Sequence, residues 1–224
     1  MKRGIVPAII FTLVCTTVMA AEREIEMKGR QLISQKPSFS MNLPAELRLI
    51  HSFTVEHPDE SSMTRAYFFI KEKAKQVEQM VIVQIADKTN PMAGPMTVPP
   101  LKSDTDKRLY LKSSQKKGRV DVDYLIQLIV WNPEASSLQP ISKKGVIVPS
   151  HLALQGQLLF GYGGEHAILI RYSRDVNSFG MRVSGRADAH AWNKESMSGN
   201  AKKVYETFRE EFTGVVDSLT VKGP

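Results

Sequence analysis

The sequence predicts an α+β fold: a mainly antiparallel β-sheet of about seven strands with a C-terminal amphipathic helix packed on it. Three observations predict it. Short segments in which apolar and polar residues alternate recur from Phe39 onward, the period of a half-buried strand. Clusters of Gly, Pro, Asn, Asp and Ser separate them, as turns require. A clear helical period appears late, where Val204, Phe208, Phe212, Val215 and Leu219 recur at spacings of four, four, three and four.

Residues 1–21 stand apart from that pattern. Lys2 and Arg3 precede an apolar run from Gly4 to Val18, and Val18-Met19-Ala20 fits a small-residue cleavage pattern. This is the form of a secretory signal peptide, and the run is shorter than the roughly 20 residues that span a bilayer. A chain cut after Ala20 or Ala21 has lost Cys15, its only cysteine, and with it any disulfide, thiolate metal site or thiol nucleophile. The expected location is the bacterial periplasm, with secretion or anchoring through an uncleaved signal as the alternatives. Lys2 and Arg3 carry +2 of the net charge of +7, so about +5 remains.

Residues 22–37 read as a polar N-terminal segment ahead of a single domain over 38–224. "SFSMNLP" places Phe39, Met41 and Leu43 on one side of a strand that Pro44 ends. Leu47 to Val55 is a second strand, followed by a turn at His57 to Ser62. "TRAYFFIKE" and "EQMVIVQIAD" are two more, joined by a charged connector. Asp87 to Arg108 holds Pro91, Pro95, Pro99 and Pro100, which fix φ and remove donors, so a long loop is expected. "RVDVDYLIQLIVW" puts Val120, Val122, Tyr124, Ile126, Leu128 and Val130 on one face and Asp121 and Asp123 on the other. Asn132 to Ser142 is irregular and leads to a short strand near Val146 to Val148. "GQLLF" and "AILIRYS" flank Gly161, Gly163 and Gly164, which read as a hairpin turn. A phosphate loop would open into a helix, and none follows.

The two ends of the domain carry a likeness. Phe39-x-Met41-x-Leu43-Pro44 opens it, and an amphipathic helix running into "VVDSLTV" (Val215 to Val221) closes it. This bracketing resembles the Mog1/PsbP-like superfamily. The resemblance implies an antiparallel sheet flanked by helices and an accessory, non-catalytic role. The helices that superfamily places between its early strands have no counterpart here, and no binding residue carries over.

Motifs for chemistry are sparse. The five histidines form no His-Glu-x-x-His pair, and the surroundings of Ser184 lack the first half of a Gly-x-Ser-x-Gly elbow. Asp121 with Asp123 offers two carboxylates where calcium wants six to eight oxygens. No cofactor or metal is expected. Trp131 and Trp192 read as core edge when buried and as lipid or carbohydrate contacts when exposed.

Charge is the strongest feature. Lys102, Lys107, Arg108, Lys112, Lys116, Lys117 and Arg119 face only Asp104 and Asp106 in that segment, a net of +5. Such a cluster attracts an anionic envelope component or an acidic protein face, while nucleic acid is not expected of an exported chain. The expected function is a non-catalytic binding or accessory protein that uses Lys107, Arg108, Lys112, Lys116, Lys117 and Arg119. The alternatives are an envelope hydrolase assembled from Ser184, His166 and Asp188, or a small-ligand carrier with a pocket between sheet and helix.

Overall fold

The computed structural model describes residues 24–103, 106–183, 185–197 and 199–223. Seven strands form one antiparallel sheet: β4 (Arg48–His57), β5 (Ser62–Lys73), β6 (Gln76–Lys88), β7 (Leu109–Lys117), β8 (Val120–Val130), β9 (Leu152–Tyr162) and β10 (His166–Asp175). Their order is β4-β5-β6-β10-β9-β8-β7. Consecutive hairpins build each half, and β10 closes against β6 to join them.

A second, four-stranded sheet sits beside it. It is made of β1 (Ile25–Lys28), β2 (Gln31–Ser34), β3 (Phe39–Asn42) and β11 (Thr220–Val221), in that order. Residues 24–37 are therefore not merely a polar lead-in. Ile25 and Leu32 are buried, and Gly29 at φ +60° turns β1 into β2. β1 and β2 each have too few apolar positions to show period two, so their pairing becomes visible only in three dimensions. The strand expected at 146–148 is an isolated bridge from Ile147 to Gln76.

The helix α2 (Gly199–Ser218) and the small sheet cover one face of the large sheet. Val204, Phe208, Phe212, Val215 and Leu219 are all buried there, as their spacing predicts. Tyr172 stacks on Phe208 at 5.5 Å, and Phe39 meets Phe160 edge-on at 5.8 Å. Gly156 leaves room for the Phe212 ring: a Cβ at that glycine would lie 2.3 Å from it. Fully burying each such ring stabilises by about 1.5–3 kcal/mol. Under the helix these rings pack directly on the sheet.

The opposite face is covered by connections. The turn-rich stretch with α1 (Gln139–Ser142) packs Leu138, Ile141, Val146 and Val148 over Ile50, Phe68 and Ile70. The proline loop packs Leu101 and Val98 over Leu125 and Leu159. Trp131 and Trp192 are both buried, so they are core edge. Among the described residues no helix is long and apolar enough to cross a membrane.

Candidate functional site

The basic segment folds as β7, the turn at Gly118 and Arg119, and the start of β8. Gly118 reverses the chain at φ +63°. Antiparallel register sets Lys112 opposite Leu125, Ser114 opposite Asp123 and Lys116 opposite Asp121. β7 is the outermost strand of the sheet. Its alternation divides its side chains between two environments. Lys112, Ser114 and Lys116 are exposed, while Leu111, Ser113, Gln115 and Lys117 are half-buried toward the helix side.

The six predicted residues are not equivalent. The Lys117 ammonium donates to the Asp217 carbonyl at 2.9 Å, near the C-terminus of α2. There it satisfies a carbonyl that the helix leaves open and complements the helix dipole, which is a structural role. Arg108 is half-buried, and its Nε is enclosed without a hydrogen-bond partner. Burial raises the phenol of neighbouring Tyr110, against the pull of the Arg108 charge. The Tyr110 hydroxyl donates to the Trp192 carbonyl at 2.5 Å. Lys107 is exposed, and its carbonyl accepts from the Lys194 amide. Lys112 donates to the Leu101 carbonyl at 3.0 Å, which ties the proline loop to the edge strand. Lys116 lies 3.3 Å from Asp121, a pair so exposed that it adds little stability. Arg119 is exposed on the turn.

Three features that are separate in sequence converge beside Arg119. A cleft of about 390 Å³ is lined by Val98 of the proline loop, Arg119, Asp121 and Asp123 of the basic hairpin, and Gly161 and Gly164 of the β9–β10 turn. The glycines explain the approach. Gly163 and Gly164 have φ of +63° and +71°, the positive values a tight hairpin needs. The Met96 amide donates to the Gly164 carbonyl at 2.8 Å, and a Cβ on Gly161 would sit 2.9 Å from Val98. The hairpin reading of the glycines holds, and the turn also seats the loop. Nothing local in the sequence indicates that meeting, because strand register sets it.

Between the two loop covers this face carries a buried polar row. Gln155 accepts from Gln127 and Gln157 at 3.1 and 2.7 Å and donates to Ser173 at 3.1 Å. Beside it Arg171 donates to Gln84.

The candidate hydrolase residues do not assemble as expected. His166 opens β10 just after the glycine turn and is half-buried. Its Nδ1 lies 2.6 Å from Asp87 at the end of β6, which register places directly across from it. Arg65 grips the same carboxylate through Nε at 2.7 Å and Nη2 at 3.0 Å, and also meets Glu24 and the Lys36 carbonyl. Burial pushes the Asp87 carboxyl up, but the bonds from His166 and Arg65, with the Arg65 charge, override it and hold it below the usual aspartate value. The cluster fastens the chain around the small sheet to the large one. Asp188 lies instead in the short 3₁₀ segment Gly185–Trp192, which follows Val183; Val183 is bonded to Asn177, beyond the far end of β10 from His166. Ser184 lies outside the described residues. A second pair, His151 with Asp175 at 3.2 Å, sits at that far end, where Asp175 also accepts from the Asn177 amide. Neither imidazole is hydrogen-bonded to a hydroxyl among the described residues. No group of three or more His, Cys, Asp or Glu is placed to hold a metal ion among them.

Comparison with family models, curated proteins and solved structures returns no match, so the Mog1/PsbP-like resemblance stands on its sequence features alone.

Proposed function

We propose that this chain is a non-catalytic binding or accessory protein of the cell envelope, exported through its N-terminal signal, whose basic β7–β8 edge receives an anionic partner. One observation carries the reading. Lys112, Lys116 and Arg119 lie exposed on one hairpin at the rim of the sheet, and Lys112 is held by a neutral carbonyl that leaves its charge uncompensated. Lys102, which follows Leu101 in the chain, is also exposed. Asp121 and Asp123 offset part of this charge, and Asp121 is spent on Lys116. Clustered cations on a protruding edge raise the local concentration of anions and the rate of encounter. Lys117 and Arg108 belong to the scaffold that holds the hairpin.

The test uses residues 22–224, which contain both sheets and every buried residue described above. Binding to vesicles containing an anionic lipid and to a linear acidic polysaccharide is measured at low and moderate salt. A variant with Lys112, Lys116 and Arg119 changed to Glu is measured beside the parent. The parent is expected to bind at least one anion, more weakly as salt screens the charges, and the variant to bind neither. Equal behaviour of parent and variant in every arm overturns the proposal.

A further inference from the structure

The proline loop carries information that charge alone does not use. Met92 is 92 % exposed, against 60 % for Ile147 and 38 % for Leu49, the other exposed large apolar residues described. A single exposed apolar side chain is ordinary on a protein surface. What sets Met92 apart is how the chain around it is built.

The loop is pinned on both sides of its apex. Asn90 opens it with a turn: its side-chain oxygen accepts from the Met92 amide at 2.9 Å and its carbonyl from the Ala93 amide at 3.1 Å. Met96 is bonded to Gly164, Val98 packs by Gly161, and Leu101 is buried with its carbonyl on Lys112. The apex, Pro91-Met92-Ala93-Gly94-Pro95, has no charged residue. Pro91 and Pro95 have no amide hydrogen, and the amides of Met92 and Ala93 are already bonded within the turn. Only Gly94 has a backbone donor left to satisfy. An apex of this kind presents few unmet donors, and its carbonyls stay open to water, so it suits the hydrated headgroup layer and not the hydrocarbon interior.

The apex stands at the same end of the sheet as the β7–β8 turn. Pro95 comes within 3.6 Å of where a Cβ on Gly164 would be, and Gly164 lines the same cleft as Arg119. Met92 is three residues from Pro95, so it lies within about 11 Å of it. The acidic side chains at this end of the sheet are Asp121, Asp123 and Glu165, with Asp59 and Glu60 on the turn whose Ser61 carbonyl accepts from the Thr89 amide, and the basic ones are Lys88, Lys116 and Arg119, with Lys112 further along β7. A soluble polyanion needs only the charges. A bilayer surface rewards charges together with an apolar element that reaches between headgroups.

We infer that the anionic partner is the surface of a lipid bilayer, with Met92 entering the interface while Lys112, Lys116 and Arg119 face anionic headgroups. This rests on the reading of the basic edge as a binding surface. The experiment is flotation of residues 22–224 with vesicles containing one-third anionic phospholipid and with neutral vesicles, beside binding to a linear polyuronate. Three variants are compared with the parent: Met92→Ser, Met92→Trp, and Lys116→Glu with Arg119→Glu. The parent is expected to float with anionic vesicles only. Met92→Ser weakens that binding about fivefold, as loss of most of an inserted side chain implies, and Met92→Trp tightens it. The charge variant loses about tenfold or more. Polyuronate binding is the same for both Met92 variants as for the parent. If Met92 substitutions leave flotation unchanged while the charge variant loses it, the bilayer inference falls and the basic edge stands. Binding of polyuronate but not of vesicles has the same meaning. If the charge variant matches the parent in every arm, both fall.

Discussion

The two faces of the large sheet are built on different principles. On the helix face one continuous apolar cluster runs from the small sheet through α2 to β8. On the loop face two separate apolar clusters sit under two connections, with a row of glutamines, a serine and an arginine between them. The first face gains most from shape-matched packing. The second gains part of its order from hydrogen bonds that are neutral only while every partner is in place. The basic edge belongs to the second face, where Lys112 joins loop to strand.

The largest expected effect breaks the helix face. Phe212→Ala is expected to cost about 3–5 kcal/mol in urea unfolding. Gly156→Ala pushes a methyl into the same ring and costs about 1–3 kcal/mol alone. The two together are expected to cost less than their sum, because truncating Phe212 empties the space that the new methyl needs. Additive losses contradict the contact.

Asp87→Asn comes next. It removes the carboxylate from Arg65 and His166, whose side chains are 11 % and 25 % exposed, and is expected to cost about 3 kcal/mol. On the loop face, Gln155→Ala removes the hub of the polar row. It takes the acceptor from the buried Gln157 amide and one bond from Gln127, at about 1–3 kcal/mol. Gln155→Ala costing as little as an exposed substitution contradicts the idea that bonding orders this face.

Acid separates the two faces, since each carries one perturbed group that titrates below neutral pH. Asp87, toward the helix face, titrates below its usual value when folded. Its stabilising contribution is therefore present above about pH 4 and is lost as pH falls through the folded value. His51, on the loop face beside Phe53 and Phe68, is lowered by burial and then by the Lys144 charge. Its neutral form is favoured by folding, so stability is intact above about pH 6.5 and declines as pH drops below it. Urea midpoints across pH should show both limbs. Asp87→Asn removes the lower limb, and His51→Phe removes the upper one.

The smallest effects concern the edge itself. Lys117→Ala is expected to lower stability by about 0.5 kcal/mol through the Asp217 carbonyl, with anion binding largely kept. Lys116→Ala is expected to leave stability unchanged and weaken anion binding, because its ion pair is solvent-screened. The reverse assignment contradicts the division of the basic residues made from their contacts.

How much of this was legible in the sequence follows from that division. The helix face was, because Phe208 and Phe212 repeat at helical spacing and Ile168, Ile170 and Tyr172 at strand spacing, and burial preserves those periods. The small sheet was legible only at β3, where Phe39, Met41 and Leu43 alternate; in β1 and β2, Ile25 lies between two glutamates and Leu32 between Gln31 and Ile33, too short a run to show a period. The seven-strand sheet was predicted in kind, but the Val146–Val148 strand was not there, because Ile147 makes one bridge and points its side chain to solvent. The basic cluster was visible as composition. Composition does not separate Lys117, which serves the helix, from Lys116, which faces water; alternation along β7 does. The His166–Asp87 pair joins residues 79 apart and depends on β10 crossing to β6, which no local pattern encodes.

The most direct test of the central claim holds net charge constant and moves only its position. One variant changes Lys112, Lys116 and Arg119 to Glu. The other changes Lys71, Lys73 and Lys75, exposed at the β5–β6 turn at the opposite end of the sheet. Both carry the same formal charge, and their binding to anionic vesicles and to a polyuronate is compared at one salt concentration. If the β7–β8 edge is the binding surface, the first variant loses the anion and the second keeps most of the parent's affinity. Equal losses in both would mean that overall charge, and not this edge, attracts the anion, and would contradict the account.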